Sequence, residues 1–144
     1  MDPNNHVVKL CAEGMRAEGD GRMEDARALF AEAWGACTDD FEACIAAHYV
    51  ARHQQSPEET LHWNVTSLEH ANRVADESVR GFYPSLYLNI GHSHEQLGNP
   101  DEAARYFDLA RSCASDVPDG RYGTIVRNAI ADGQRRVRDA ASKA

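Results

Sequence analysis

Residues 84–117 read PSLYLNIGHSHEQLGNPDEAARYFDLARSCASDV, and this stretch decides the predicted fold. Large and small apolar residues recur in it at intervals of three and four, which is the spacing of one helix face. The two periodic segments are separated by Gly98-Asn99-Pro100, a turn signal. Asn99 suits a helix cap, and Pro100 suits the first turn, where its missing N–H leaves no bond unmade. The stretch therefore predicts two helices packed face to face.

The spacing of this stretch resembles the tetratricopeptide repeat, a helix–turn–helix unit of about 34 residues with the pattern W-x2-L-G-x2-Y, then A-x3-F, then P. The residues that carry the resemblance are Tyr87, Ile90, Gly91, His94, Ala103, Phe107 and Ala110. His94 replaces the usual aromatic residue, and Pro118 comes slightly after the last position of the pattern. The resemblance covers about residues 7–117 and implies further copies, because one hairpin cannot bury its own apolar face.

An earlier copy of the pattern occupies residues 7–40. Residues of the same character stand at the corresponding positions, namely Leu10, Gly14, Ala17, Gly21, Ala26, Phe30 and Ala33. A middle copy, residues 41–74, is degenerate, but Ser56-Pro57-Glu58-Glu59 gives it a capping box with proline in the first turn. Residues 75–83 are extra, and we expect them to extend the fourth helix to about Val79 before a turn at Gly81.

The pattern predicts an all-α fold of about seven helices, since no segment carries a strand signal. The predicted helices cover residues 7–19, 24–37, 41–54, 57–79, 84–97, 100–114 and about 121–140. The resemblance implies a single domain, residues 1–144, in which about three helix–turn–helix repeats form a right-handed superhelical stack. The repeats are residues 7–40, 41–74 with an extension to 83, and 84–117, and the last helix, about residues 121–140, caps the stack.

Two of the predicted helices have a distinct apolar face. In the fourth helix this face is formed by Leu61, Val65, Leu68, Ala71, Ala75 and Val79. In the last helix it is formed by Tyr122, Ile125, Val126, Ala129, Ile130, Gly133 and Val137. The other side of the last helix carries Arg127, Arg135, Arg136 and Arg138, so this helix has one face for the core and one for solvent.

The resemblance also implies a binding surface. In tetratricopeptide repeat proteins, the first helices of successive repeats line a concave groove that takes an extended peptide or a partner helix. The groove-facing positions here are Val8, Cys11, Met15, Ile45, Tyr49, Arg52, His53, Ser85, Leu88, Asn89, His92, Glu95 and Gln96. Among them we predict that the peptide is bound by Tyr49, Arg52, His53, Asn89, His92, Glu95 and Gln96.

Arg52 and Tyr49 are the most suitable residues of this set. A guanidinium can hold a carboxylate by two bonds, and a tyrosine offers a large contact area at low entropic cost. In the alternative interpretation, Tyr49 and Leu88 pack within the stack and Arg52 forms an internal ion pair with an acid such as Glu95. Members of the family that bind chaperone tails use a clamp of lysines, asparagines and an arginine. That clamp is absent, because its positions hold Cys11, Met15, Ala46, Ser85 and Asn89.

Histidines and cysteines raise the alternative of a metal site. Six histidines fall in one region, and imidazole is a common metal ligand. His92 and His94 are two residues apart and diverge on a helix, so a site would need different helices, with His53 and His92 the most suitable partners. The four cysteines include no C-x2-C pair. We expect no metal and no cofactor.

The chain carries no H-E-x-x-H, G-x-S-x-G, phosphate-loop or dinucleotide motif, so we expect a non-enzymatic protein. Residues 1–120 hold 9 Lys+Arg against 21 Asp+Glu, which disfavours nucleic-acid binding and favours basic partners. Without an apolar run long enough for a membrane or a secretory signal, we expect a cytoplasmic protein.

The sequence therefore predicts a protein–protein interaction module or adaptor that binds a peptide or partner helix in the concave groove. One alternative is a self-associating structural module, with a homodimer made by repeat edges or the last helix. Another is a small-molecule or metal-binding sensor.

Overall fold

The computed structural model describes residues 1–143, and all regular structure in this range is helical. The helices are α1 (His6–Gly19), α2 (Met23–Gly35), α3 (Asp40–Val50), α4 (Pro57–Arg73), α5 (Tyr83–Gln96), α6 (Pro100–Ser112) and α7 (Arg121–Ser142). Short 3-10 turns cover Ala51–His53, Glu77–Phe82 and Ala114–Asp116. The prediction of an all-α chain with seven helices is confirmed. Within residues 1–143, the helices are too short or too polar to cross a membrane.

The chain divides into two compact units. Unit 1 comprises residues 1–78 with helices α1 to α4, and unit 2 begins at Val79 and contains α5 to α7. Each unit begins with a helical hairpin, α1 with α2 in unit 1 and α5 with α6 in unit 2. In unit 1, α3 and α4 form a further hairpin. The next helix, α3 or α7, packs against both helices of its hairpin.

The same close contact lies at the centre of both hairpins. A Cβ atom added to Gly91 would lie 2.7 Å from two carbon atoms of the buried Phe107 ring, and Gly14 stands in the same relation to Phe30. Glycine at these two positions lets the paired helices approach until the aromatic ring fills the space between them. Gly21 and Gly98, in the two hairpin turns, have φ values of 78° and 76°, which favour glycine.

Side chains that cap the helices explain where three of them begin. The carboxylate of Asp39 accepts a hydrogen bond from the Glu42 amide at 2.8 Å, and the hydroxyl of Ser56 accepts one from the Glu59 amide at 3.2 Å. Asn5 caps α1 in the same way through the Val8 amide at 3.0 Å.

Helix α6 lacks the side-chain cap that the sequence predicted. Asn99 makes no side-chain capping bond, and its amide nitrogen lies 3.4 Å from His94 Nδ1 instead. Helix α6 still begins at Pro100, and Asp101 and Glu102 in its first turn complement the helix dipole.

The predicted extension of the fourth helix to Val79 is wrong, since α4 ends at Arg73. Val74 is extended, with φ −74° and ψ 123°, and the carboxylate of Asp76 accepts from the Ser78 amide at 2.9 Å. Such a local bond offers the backbone an alternative to helix. The chain then forms the 3-10 turn Glu77–Phe82 before α5.

The buried face of α4 also differs from the expected apolar face. Asn64, Ser67 and Ala71 are buried, whereas Leu61, Val65 and Leu68 are only half-buried. The hydroxyl of Ser67 donates to the Cys44 carbonyl at 2.8 Å, so the polar group is satisfied in the interior. Small residues on this face let α4 approach α3 closely.

The apolar stripe of α7 is narrower than expected. Gly123, Val126, Ile130 and Gly133 are buried, but Tyr122 and Ile125 are 59% and 56% exposed. The exposed pair lies to one side of the buried stripe. The hydroxyl of Tyr122 nevertheless lies 2.6 Å from the Ser85 hydroxyl of α5.

Candidate functional site

In unit 1 the three predicted binding residues meet around Glu18 and Phe30. Tyr49, near the end of α3, stacks on Phe30 with 5.1 Å between ring centroids and 17° between planes. Arg52 and His53 follow in the 3-10 turn at the end of α3. The His53 ring lies 5.6 Å from the Phe30 ring. The Phe30 ring of α2 therefore packs against the rings of both Tyr49 and His53.

The carboxylate of Glu18 contacts both Arg52 and His53. Its Oε2 atom accepts from His53 Nε2 at 2.7 Å, and its Oε1 atom lies 3.1 Å from Arg52 Nη2 in an ion pair. The side chains of Glu18 and His53 are each only 13% exposed, whereas that of Arg52 is 47% exposed. An internal ion pair of Arg52 is present, as the alternative interpretation required, but its acid is Glu18 rather than Glu95.

Arg52 is held in place from two directions. The guanidinium carbon lies 5.6 Å from the centroid of the Tyr49 ring, within the range of a cation–π contact. Glu18 fixes the other side, and it is the one ion-pair partner of Arg52 within residues 1–143. A guanidinium has five N–H donors, so Arg52 keeps donors directed to solvent.

His48 adds an uncharged ring beside this group. Its ring lies 4.9 Å from the Tyr49 ring. Burial, with a smaller contribution from the positive charge of Arg52, lowers the pKa of His48 to about 4. His48 is therefore neutral at neutral pH.

In unit 2 the predicted residues His92 and Glu95 meet Arg136 of α7. Glu95 accepts from Arg136 Nε at 2.9 Å and from its Nη2 atom at 3.0 Å, a bidentate pair. His92 Nδ1 lies 3.6 Å from the same carboxylate, and its ring meets Phe107 edge-on at 5.4 Å. The hydrogen bond from Arg136 holds the pKa of Glu95 below its ordinary value. Burial, and next the charge of Arg136, lowers the pKa of His92.

The two units share one construction. Glu18 and Glu95 occupy corresponding positions in the two hairpins, and each forms an ion pair with an arginine supplied by the chain that follows its hairpin. Each carboxylate also lies against a histidine that rests on a buried phenylalanine. The sequence prediction missed Glu18 and Arg136. The signal for Glu18 was available, because it corresponds to Glu95, a predicted site residue.

The remaining predicted residues of unit 2 lie along α5. Asn89, His92 and Gln96 follow one another at intervals of three and four, which places them on one side of the helix. Asn89 is half-buried and Gln96 is exposed near the end of α5. Together with Tyr122 and Arg136 from α7, they give this side of unit 2 a row of hydrogen-bonding groups.

Several positions expected to face a partner are buried instead. Cys11, Ile45, Leu88 and Ser85 are between 2% and 8% exposed, so they belong to the packing of their units. On α1 the exposed neighbours define a depression of about 520 Å³, and it is lined by Pro3, Val8, Lys9, Ala12, Glu13 and Arg16. The contact surface of α1 is thus shifted away from Cys11.

Within residues 1–143, no group of three or more His, Cys, Asp and Glu side chains is placed to hold a metal ion. His53 and His92, the pair considered for such a site, each lie against a carboxylate of their own unit. All four cysteines are free. Burial raises the pKa of Cys11 to about 12 and that of Cys37 to about 11, so both thiols are protonated at neutral pH.

Comparison with protein-family models, with curated proteins and with solved structures finds no match to this chain. Its function is therefore inferred from the geometry of each unit.

Proposed function

We propose that the chain is a non-enzymatic protein-binding module of the tetratricopeptide type, which binds a peptide or a partner helix. The observation that carries the proposal is the arginine and histidine oriented by one carboxylate in each unit, Glu18 in unit 1 and Glu95 in unit 2. Side chains that are already ordered lose less rotamer entropy when a partner arrives, which favours binding.

Arg52 is the contact that supports the proposal most directly. Its guanidinium is half-exposed, it is oriented by Glu18 and Tyr49, and part of its donor set faces solvent. Carboxylates and backbone carbonyls are the groups that such a donor set recognises. Arg136 is more fully engaged, because both of its hydrogen bonds to Glu95 are short, so we assign it the smaller share of affinity.

The charge of each unit indicates the kind of partner. Residues 1–78 hold 6 Lys+Arg against 15 Asp+Glu, whereas residues 79–144 hold 9 against 8. An acidic unit attracts basic partners over distance. We therefore propose a peptide with basic flanks that presents a carboxylate or carbonyl oxygens to Arg52. Four free cysteines favour a reducing compartment, and we propose that binding takes place in the cytoplasm.

The competing explanation is that both carboxylate groups only lock the helices together. In that case a change at Arg52 would lower the melting temperature without affecting any partner. If the proposed function is correct, a change at Arg52 lowers the affinity for the peptide while the fold is retained. The fold is retained because Arg52 is half-exposed, and exposed ion pairs contribute about 0–1 kcal/mol to stability.

The test is selection of binders from a random peptide library displayed on phage, followed by titration of the enriched peptides. We expect Arg52→Gln to weaken binding about tenfold, the loss of one charge-assisted hydrogen bond. Arg136→Gln is expected to weaken it by a smaller factor. Matched controls are Arg22→Gln and Arg105→Gln, which remove exposed arginines that pair with acids outside these surfaces. Equal affinities for all four variants would contradict the proposal.

A further inference from the structure

An open depression of about 650 Å³ lies between α6 and α7 in unit 2. Small apolar side chains contribute to its lining, with Ala104 from α6 and Val137, Ala140 and Ala141 from α7. Small side chains leave room for the backbone of another helix to come close. The proposed peptide site lies elsewhere, so this depression is a separate feature of the molecule.

The polar residues that line the depression fall into two groups. At one end, Gln134 of α7 donates to Asp108 at 2.8 Å and accepts from Arg111 at 3.4 Å. These three side chains satisfy one another. Asp101 of α6 and Arg138 of α7 also line the depression, but within residues 1–143 neither has an ion-pair partner.

We propose that a second copy of the chain occupies this depression, with α7 of each molecule lying along the α6–α7 surface of the other. One surface that carries an unpaired acid and an unpaired base is complementary to itself about a twofold axis. In such a dimer Arg138 meets Asp101 of the partner subunit, and the reverse pair forms at the same time.

The contact is small, so the dimer is weak. Stable interfaces bury about 1,200–2,000 Å² in total, and transient ones less. The surface formed by parts of two helices belongs to the transient class, for which we expect a dissociation constant of about 10–100 μM. Because its charges lie at the surface, the dimer dissociates as the salt concentration rises.

The experiment is sedimentation equilibrium of the whole chain from about 5 to 500 μM, a range that spans this dissociation constant. We expect Asp101→Arg and Arg138→Glu each to weaken the dimer about tenfold or more, since like charges then face each other. Combining the two substitutions exchanges the charges and is expected to restore dimerisation to within about threefold of the original.

Two control variants make the same charge changes elsewhere. Glu24→Arg changes the residue of α2 that corresponds to Asp101, and Arg27→Glu changes an exposed arginine of α2. Both are expected to dimerise as the original chain does. The proposal is overturned by a monomer at every concentration, by single variants that dimerise normally, by a double variant that stays monomeric while its circular dichroism is unchanged, or by controls that weaken the dimer equally.

Discussion

His48 shows how one residue couples the surface around Arg52 to pH. Its pKa is lowered to about 4 by burial and by Arg52, whereas the pKa of a histidine in an unfolded chain is about 6.5. The unfolded chain therefore binds the proton more readily than the folded one between these two values. The contribution of His48 to stability is present above pH 6.5 and is lost as the pH falls toward 4.

We predict that the free energy of unfolding decreases by about 3 kcal/mol between pH 7 and pH 4 through His48 alone. His48→Gln removes this titration, so the difference between the two proteins should shrink as the pH is lowered. Urea unfolding at several pH values measures it. His62→Gln, at an exposed position, serves as the control. A constant difference between His48→Gln and the original chain across this range would contradict the prediction.

A second titrating residue, Glu42, affects stability at lower pH than His48 does. It is 9% exposed and accepts from Asn5 Nδ2 and from the amide and hydroxyl of Thr38 at 2.8 to 2.9 Å. Burial alone would raise the pKa of Glu42, but these hydrogen bonds outweigh it and hold the pKa below its ordinary value. Its contribution to stability is thus lost at the acid end, below the range in which His48 acts.

At the scale of the helices, the contact between glycine and phenylalanine sets the spacing of each hairpin. Phe107 is fully buried, and a Cβ atom added to Gly91 of α5 or to Gly133 of α7 would lie 2.7 or 2.8 Å from its ring. A ring held on two sides has no room to move. The hairpin of unit 2 therefore depends on Gly91 more than helix propensity alone would suggest.

We predict that Gly91→Ala lowers the free energy of unfolding by about 1–3 kcal/mol, since overpacking outweighs the gain in helix propensity. Gly19→Ala should raise the free energy of unfolding slightly, because no atom lies within 4 Å of the added Cβ in α1. Thermal melts of both variants show whether each substitution lowers or raises the stability. A stabilised Gly91→Ala protein would show that the ring can shift.

The sequence predicted helix starts correctly where a capping residue or a proline marks them. Asp39, Ser56, Pro57 and Pro100 mark helix starts that the structure contains. The end of α4 was misjudged although its signal is local, because Asp76 accepts from the amide two residues further on and so competes with the helical hydrogen bonds. The buried face of α4 was misjudged since Ser67 is satisfied by a carbonyl of α3, a bond that no spacing rule reveals.

The residues of the candidate site were predicted only in part, because contacts between helices are not visible in the spacing of a sequence. Tyr49, Arg52, His92 and Glu95 were proposed from their positions in the predicted repeat, but their partners depend on packing between helices. Arg136 lies far along the chain from Glu95 and was assigned to the charged, outer side of the last helix. Long-range pairs of this kind have no signature in a single sequence.

For the molecule as a whole, the uneven charge of the two units should govern how fast a partner arrives. With 6 basic and 15 acidic residues in residues 1–78, a basic peptide is drawn toward unit 1. We predict that the association rate of such a peptide falls about tenfold or more between about 20 and 500 mM NaCl, while its dissociation rate changes less. Stopped-flow fluorescence measures both rates. An association rate independent of salt would contradict electrostatic attraction.

The buried thiols have a practical consequence for labelling. Cys11 and Cys44 are buried, and burial raises the pKa of all four native cysteines, so few thiolates exist at neutral pH. Maleimide dyes react with thiolates, and a cysteine introduced at an exposed position such as Ala141 would react first. A fluorescent reporter can thus be attached to the introduced cysteine without first removing the four native cysteines.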